Sequence, residues 1–193
     1  MFNTIYSNKI EKAIKLAITT HEIDDKQKRK GKDIPYITHP FTVGLILSQA
    51  GANEDVVIAG ILHDTIEDSI DEKKVTKEYL AEEFGEKAAA LVLAVTEVDK
   101  NMSWEDRKAE ALAHIEHFSE DELLVKSADV LSNGTELVSD VEEEGQSVFE
   151  RFSVEKEKTL AHSLRVIKAI LDKWPENPLA LDLKYLSKKL EEL

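Results

Sequence analysis

Apolar residues in this chain recur at three- and four-residue steps far more often than in alternation, and only 7 glycines and 4 prolines interrupt them. That period belongs to amphipathic helices that turn one face to a core. No segment reads as a convincing strand, so the expected fold class is all-α, a helical bundle. The 193 residues hold no internal repeat, low-complexity stretch or clear linker. The expectation is therefore one domain over residues 1–175, with a last helix over residues 176–193 appended to it. That helix can pack onto the bundle or mediate an oligomer contact, and the sequence does not choose.

Local signals place the helices. The first runs from about Ser7 to Thr20, with Ile10, Ala13, Ile14 and Ala17 on one face. A charged loop from about Glu22 to Thr38 follows, carrying Gly31 and Pro35; connections this long are often functional. Pro40 to Ala50 reads as a helix closed by Gly51, and Asn53 caps the next, Val56 to His63, which is apolar almost all round and belongs in the middle of the fold. Thr76 opens another that closes at Gly85, Lys87 to Glu97 forms the next, and Ser103 starts one through about His117. Ser119 with Glu122 makes a capping box, and Ser147 to Glu150 reads as a second box opening a long helix that stops before Pro175. Asn177-Pro178 reads as the cap and first residue of the final helix.

Composition narrows the chemistry. Cysteine is absent, which excludes disulfides, thiolate metal sites and a cysteine nucleophile, and leaves histidines and carboxylates to hold any metal. A net charge of -14, from 39 acidic against 25 basic residues, disfavours nucleic acid or an anionic membrane as partner. Met1-Phe2-Asn3-Thr4 lacks the basic and then apolar stretch of a secretory signal, and the apolar run Val56 to Leu62 falls far short of the ~18 residues of a membrane span. A soluble, cytoplasmic protein is expected. Lys26-Gln27-Lys28-Arg29-Lys30-Gly31-Lys32 nevertheless forms a local basic cluster suited to an anionic small molecule.

Within this framework His63-Asp64 stands where the most apolar helix ends. A solvent-facing helix cap is the ordinary reading of such a pair, but an ionised Asp beside a buried helix needs a partner. His39 stands just before Pro40 where the loop enters a helix, and Asp129 sits among apolar neighbours in Val125-Lys126-Ser127-Ala128-Asp129-Val130-Leu131. Two neutral imidazoles and two carboxylates balance a divalent cation and leave coordination positions for water and substrate. The mixture of nitrogen and hard oxygen suits Mn²⁺, Fe²⁺ or Mg²⁺ better than a closed zinc site. Glu67-Asp68 follows Asp64 by three and four residues, near enough to share a water molecule at such an ion, although acidic pairs at helix ends are commonly just solvated. His114 and His117 read as a solvated pair, and His21 and His162 as structural or exposed.

Tyr36-Ile37-Thr38-His39-Pro40, Ile61-Leu62-His63-Asp64-Thr65-Ile66-Glu67-Asp68 and Lys126-Ser127-Ala128-Asp129-Val130-Leu131-Ser132-Asn133 resemble, in order, the hallmark segments of the HD hydrolase domain of RelA/SpoT-type alarmone enzymes, with Phe84-Gly85 and Val95-Thr96 between them. The resemblance covers roughly residues 8 to 170, and is closest to the small stand-alone alarmone hydrolases. It implies an HD-domain bundle with a divalent metal, expected to be Mn²⁺, on His39, His63, Asp64 and Asp129, and acid-base work by Glu67 and Asp68. It also implies a nucleotide held by Arg29, Lys30 and Asn133, the basic pair aligning once one extra residue is allowed in the loop. The implied reaction is hydrolysis of the 3′-pyrophosphate of (p)ppGpp to GDP or GTP and pyrophosphate. This chain departs from the pattern at Val130, Ser132 and Thr135, where alarmone enzymes commonly carry Arg, an aromatic or His, and a later Arg. Another nucleotide or phosphoester substrate, and a silent helical sensor or interaction module, are the alternative readings.

Overall fold

Several helices of this protein start at a side chain that caps them. In the computed structural model, which describes residues 7–97 and 102–193, Ser7 Oγ accepts from the amides of Lys9 and Ile10 and opens α1, Asn8–Ile18. Asn53 Oδ1 accepts from Val56 N at the start of a later helix, and Thr76 and Ser103 do the same for two others. The Met1 to Thr4 stretch read for a leader lies outside the described residues. The chain forms two compact units, Met1–Val98 and Asp99–Leu193.

The first unit begins with α1, whose Ile10, Ala13 and Ala17 are buried. The helix does not end at Thr20 but widens into a π-helical turn, Thr19–Asp24, that carries the fully buried His21. The segment read as a loop from Glu22 is thus shorter than expected, and a lone antiparallel bridge between Lys28 and Pro35 pins what remains. Then come α2, Thr38–Gln49, and α3, Glu54–Leu62, in which every residue from Val56 to Leu62 is buried. Burial all round is what its unbroken apolar sequence demands. α2 approaches α3 closely because Gly44 and Gly60 leave room: a Cβ on Gly44 would lie 2.6 Å from Ile61 Cγ1, and one on Gly60 would collide with Leu47 Cδ1. A single turn, α4, Thr65–Asp68, precedes α5, Lys77–Phe84. Gly85, at φ +101°, then turns the chain into α6, Glu86–Val95.

The second unit contains α7, Trp104–His114, continued by a 3₁₀ turn, and the long α8, Glu120–Glu144. Both halves of the expected box are present at Ser119, whose Oγ accepts from Glu122 N while its own amide donates to the Glu122 carboxylate. The second box is not. Ser147 Oγ donates to the Glu144 carbonyl, residues Gly145–Arg151 form a 3₁₀ segment with Val148 and Phe149 buried, and α9 is Lys156–Lys173. Gly145, at φ +77°, ends α8, and burial of the two apolar side chains sets the path that follows.

Asn177 caps differently from the expectation as well. Its Oδ1 accepts from Leu179 N, its Nδ2 donates to the buried Ser127 Oγ, and α10 starts later, at Ala180–Glu191. α10 packs on α8 and α9, with Leu186 over Gly134. Among the described residues there is no strand, which agrees with the all-α expectation, and no helix is long and apolar enough to cross a membrane.

Candidate metal centre

In the first unit the chain turn that enters α2 and the turn that leaves α3 bring His39, His63 and Asp64 together. His39 lies in the first turn of α2, where its amide donates to the Tyr36 carbonyl at 2.9 Å and Thr38 Oγ1 donates to the Pro35 carbonyl at 2.9 Å. His63 follows the last residue of α3, and Thr65 Oγ1, donating to Leu62 O at 2.7 Å, holds the tight turn into α4. Both imidazoles are buried, at 3% and 5% exposure.

Hydrogen bonding assigns the tautomer of His63. Its Nδ1 lies 2.8 Å from the Gly60 carbonyl, and a carbonyl only accepts, so Nδ1 carries the hydrogen and Nε2 of the neutral ring presents a lone pair. That Nε2 stands 3.2 Å from His39 Nε2 and 2.9 Å from Asp64 Oδ2, while Asp64 Oδ2 and His39 Nε2 are 3.8 Å apart. Donors that share one ion at about 2.1 Å, at angles of about 90–110°, stand roughly 3.0–3.4 Å apart. The triangle brackets that spacing, and its nitrogen and oxygen donors fit a divalent ion. A backbone carbonyl behind the ligating ring is the usual way a metal-bound histidine is oriented.

Tyr36, in the segment that leads to His39, also reaches these side chains. Its hydroxyl donates to Asp64 Oδ2 at 2.5 Å. Its ring lies 5.1 Å from that of His21 and 5.8 Å from that of His39, and the Arg29 guanidinium sits 5.4 Å from its centroid. Burial first, then the negative charge of Asp64 and the hydrogen bond to it, and then Asp68, push the phenol well above its ordinary pKa, with Arg29 opposing them. The hydroxyl therefore remains a donor at physiological pH. A signal for this residue was its place three positions ahead of His39 in a turn made rigid by Pro35 and Pro40.

The basic loop is built from the π-helical turn outward. Gln27 N donates to His21 O, Gln27 Oε1 accepts from His21 Nδ1, and Tyr36 N and Arg29 N donate to Gln27 O and Ile34 O. An ion pair between Lys28 and Asp33 closes it. This ladder holds Arg29, half-buried, over Tyr36, and leaves Lys30 exposed at the turn. Glu67 and Asp68 lie half-buried on α4, and Asp68 N donates to Asp64 O at 2.9 Å, so both carboxylates follow Asp64 within one turn.

In the second unit Asp129 sits on α8 with its side chain 14% exposed. Lys126 Nζ donates to its Oδ2 at 2.8 Å, and Asn133 Nδ2 to its Oδ1 at 2.7 Å. Asn133 and Asp129 share a helix face, as their spacing predicts. The i,i+3 spacing of Lys126 before Asp129 is the sequence signal for this contact. Of the positions that depart from the alarmone pattern, Ser132 is buried, Val130 half-buried and Thr135 exposed.

Known proteins resemble this chain in sequence and fold. The profile of the HD domain family matches residues 13–156. A guanosine-3′,5′-bis(diphosphate) 3′-pyrophosphohydrolase of Aquifex aeolicus is 33% identical over 174 residues, which cover 88% of this chain; the chain spans only 24% of that relative's length. The Danio rerio enzyme guanosine-3′,5′-bis(diphosphate) 3′-pyrophosphohydrolase MESH1 is 36% identical over 126 residues, covering 63% of this chain and 67% of the relative. A solved structure of a metazoan ortholog of SpoT superposes with a TM-score of 0.77 at 24% identity, covering 98% of this chain and 99% of that one, and so shares the fold. With a helical architecture, a His/His/Asp cluster at the end of its most buried helix and a profile match over most of its length, the chain belongs to the HD-domain family.

Proposed function

We propose that this protein is a metal-dependent hydrolase of guanosine 3′,5′-bis(diphosphate) and its 5′-triphosphate counterpart, releasing pyrophosphate from the ribose 3′ position. The observation that carries the reading is the triangle of two buried imidazole nitrogens, His39 Nε2 and His63 Nε2, with Asp64 Oδ2, the tautomer of His63 being set by Gly60. The substrate is supported by the likeness to the Danio rerio enzyme.

His39, His63 and Asp64 would hold a divalent ion, proposed as Mn²⁺, and Asp129 is its fourth ligand on the pattern of the alarmone enzymes. A bound divalent ion supplies Lewis acidity, which lowers the pKa of water and offsets charge on a phosphoryl oxygen. In our reading the Glu67-Asp68 pair orients the attacking water and takes its proton. A bond forms from the water oxygen to the phosphorus next to the ribose, the bond to the ribose 3′ oxygen breaks, and that oxygen takes up the proton. Arg29 and Lys30 place the nucleotide's anionic groups, Arg29 by its planar fork and Lys30 as a point charge. Asn133 binds substrate beside Asp129. The working unit is the hydrolase domain of residues 1–175 with residues 176–193 appended, acting in the cytoplasm in the stringent response.

Protein supplied with Mn²⁺ is expected to release pyrophosphate from ppGpp, and Asp64→Ala protein is not. Absence of release from wild-type protein with any of Mn²⁺, Mg²⁺ or Fe²⁺ overturns the substrate. Val130, Ser132 and Thr135 favour a second reading, in which the same centre cleaves a less charged nucleotide; turnover of simple nucleoside phosphates, and not of ppGpp, would select it.

A further inference from the structure

Asp64 is the most exposed ligand of the triangle, its side chain 21% accessible against 1% and 5% for the two histidines. A carboxylate on a short turn has two torsions to lose, and a ligand that moves freely weakens the site it belongs to. Something must hold it. The Oδ2 atom that faces both imidazoles is the one that receives the Tyr36 hydroxyl.

Tyr36 is itself held on several sides. Its amide donates to Gln27 O, the His21 ring, fully buried, lies against it, and the His39 ring meets it edge-on. The Arg29 guanidinium lies over the ring at cation–π distance. From these contacts we infer that Tyr36 is a positioning residue with two jobs: its hydroxyl orients Asp64 toward the metal, and its ring supports Arg29 in the substrate loop.

One side chain then joins the loop that binds the nucleotide to the ligand that holds the ion. The inference rests on the site assigned under the proposed function. Its two arms are chemically separable, because phenylalanine keeps the ring and loses only the hydroxyl, whereas leucine loses both.

The test uses the full chain stripped of metal and titrated calorimetrically with Mn²⁺ alone, followed by ppGpp kinetics at saturating Mn²⁺. Tyr36→Phe is expected to weaken Mn²⁺ binding about 10- to 100-fold, the usual effect of removing an outer hydrogen bond to a ligand. At saturating Mn²⁺ it keeps a near wild-type KM. Tyr36→Leu is expected to weaken Mn²⁺ as much and in addition to raise KM about 2- to 30-fold through loss of the cation–π support. A merely structural role would move neither quantity selectively. Tyr36→Phe protein that binds Mn²⁺ as tightly as wild type, while Asp64→Ala protein loses binding, overturns this inference and leaves the proposed function standing. Equal KM values for the two Tyr36 variants overturn the Arg29 arm. Wild-type protein that binds no Mn²⁺ overturns both readings together.

Discussion

His63 donates from Nδ1 to the carbonyl of Gly60, one turn back in α3, and the ring is thereby fixed with Nε2 toward His39. The same glycine faces α2 with no room for a side chain, since a Cβ there would strike Leu47 and lie 3.2 Å from Val43 Cγ1. Helix packing and the orientation of the His63 ring thus meet at one residue. Gly60→Ala is expected to destabilise the protein by about 1–3 kcal/mol through overpacking, read by denaturant unfolding. It should also weaken Mn²⁺ binding, because any shift that relieves the collision moves the carbonyl that aims His63. Unchanged stability would show that the closeness of α2 and α3 is not as described.

Metal binding to the folded chain should raise its unfolding midpoint. At 100 times the dissociation constant, a ligand that binds only the native state adds about 2.7 kcal/mol. Thermal melts with added Mn²⁺ should move upward, return on addition of a chelator, and stay flat for His63→Ala protein. A shift that survives in His63→Ala protein would place the ion elsewhere.

Glu67 and Asp68 are proposed to move protons and not to hold the ion, so binding and turnover should separate. Glu67→Gln and Asp68→Asn are each expected to lower kcat about 10²- to 10⁴-fold, the ordinary contribution of general acid-base catalysis. Calorimetry should find Mn²⁺ affinity close to wild type. If either variant loses the ion along with activity, that carboxylate is a ligand and the assignment changes.

On α8, Asn133 and Lys126 both donate to Asp129. Asp129→Ala is expected to abolish ppGpp turnover. Asn133→Ala, which removes the side chain proposed to bind substrate, should cost roughly 10-fold in kcat/KM, the loss of about one hydrogen bond. Circular dichroism should show both variants helical, since the change lies on one face of a 25-residue helix. Full activity in Asp129→Ala protein would remove this residue from the proposed ligand set.

The C-terminal helix α10 buries Leu183, Leu186 and Leu190 in the second unit. Leu183, with no exposed surface, should cost about 2–5 kcal/mol as Leu183→Ala, the range for a buried leucine truncated to alanine. A loss well below about 1 kcal/mol in denaturant unfolding would mean that α10 is only loosely attached.

The sequence by itself determined what acts over a few residues. Ser7, Asn53, Thr76, Ser103 and the Ser119–Glu122 box each cap a helix where their spacing indicates, because a cap joins a side chain to amides two or three residues away. Burial of α3 was legible in its unbroken apolar run, and with it the unusual position of His63-Asp64. The Ser147 box failed because Gly145 and the burial of Val148 and Phe149 outweighed a local hydrogen bond. Only the tertiary structure decided which nitrogen of His63 faces His39, that Asp64 takes a hydrogen bond from a tyrosine 28 residues earlier, and that α1 runs on into a π-helical turn carrying a buried histidine. Those outcomes depend on how distant segments pack against one another. Hydrophobic period and capping pattern specify which face of a helix is buried, but not which atom of a neighbouring segment it meets.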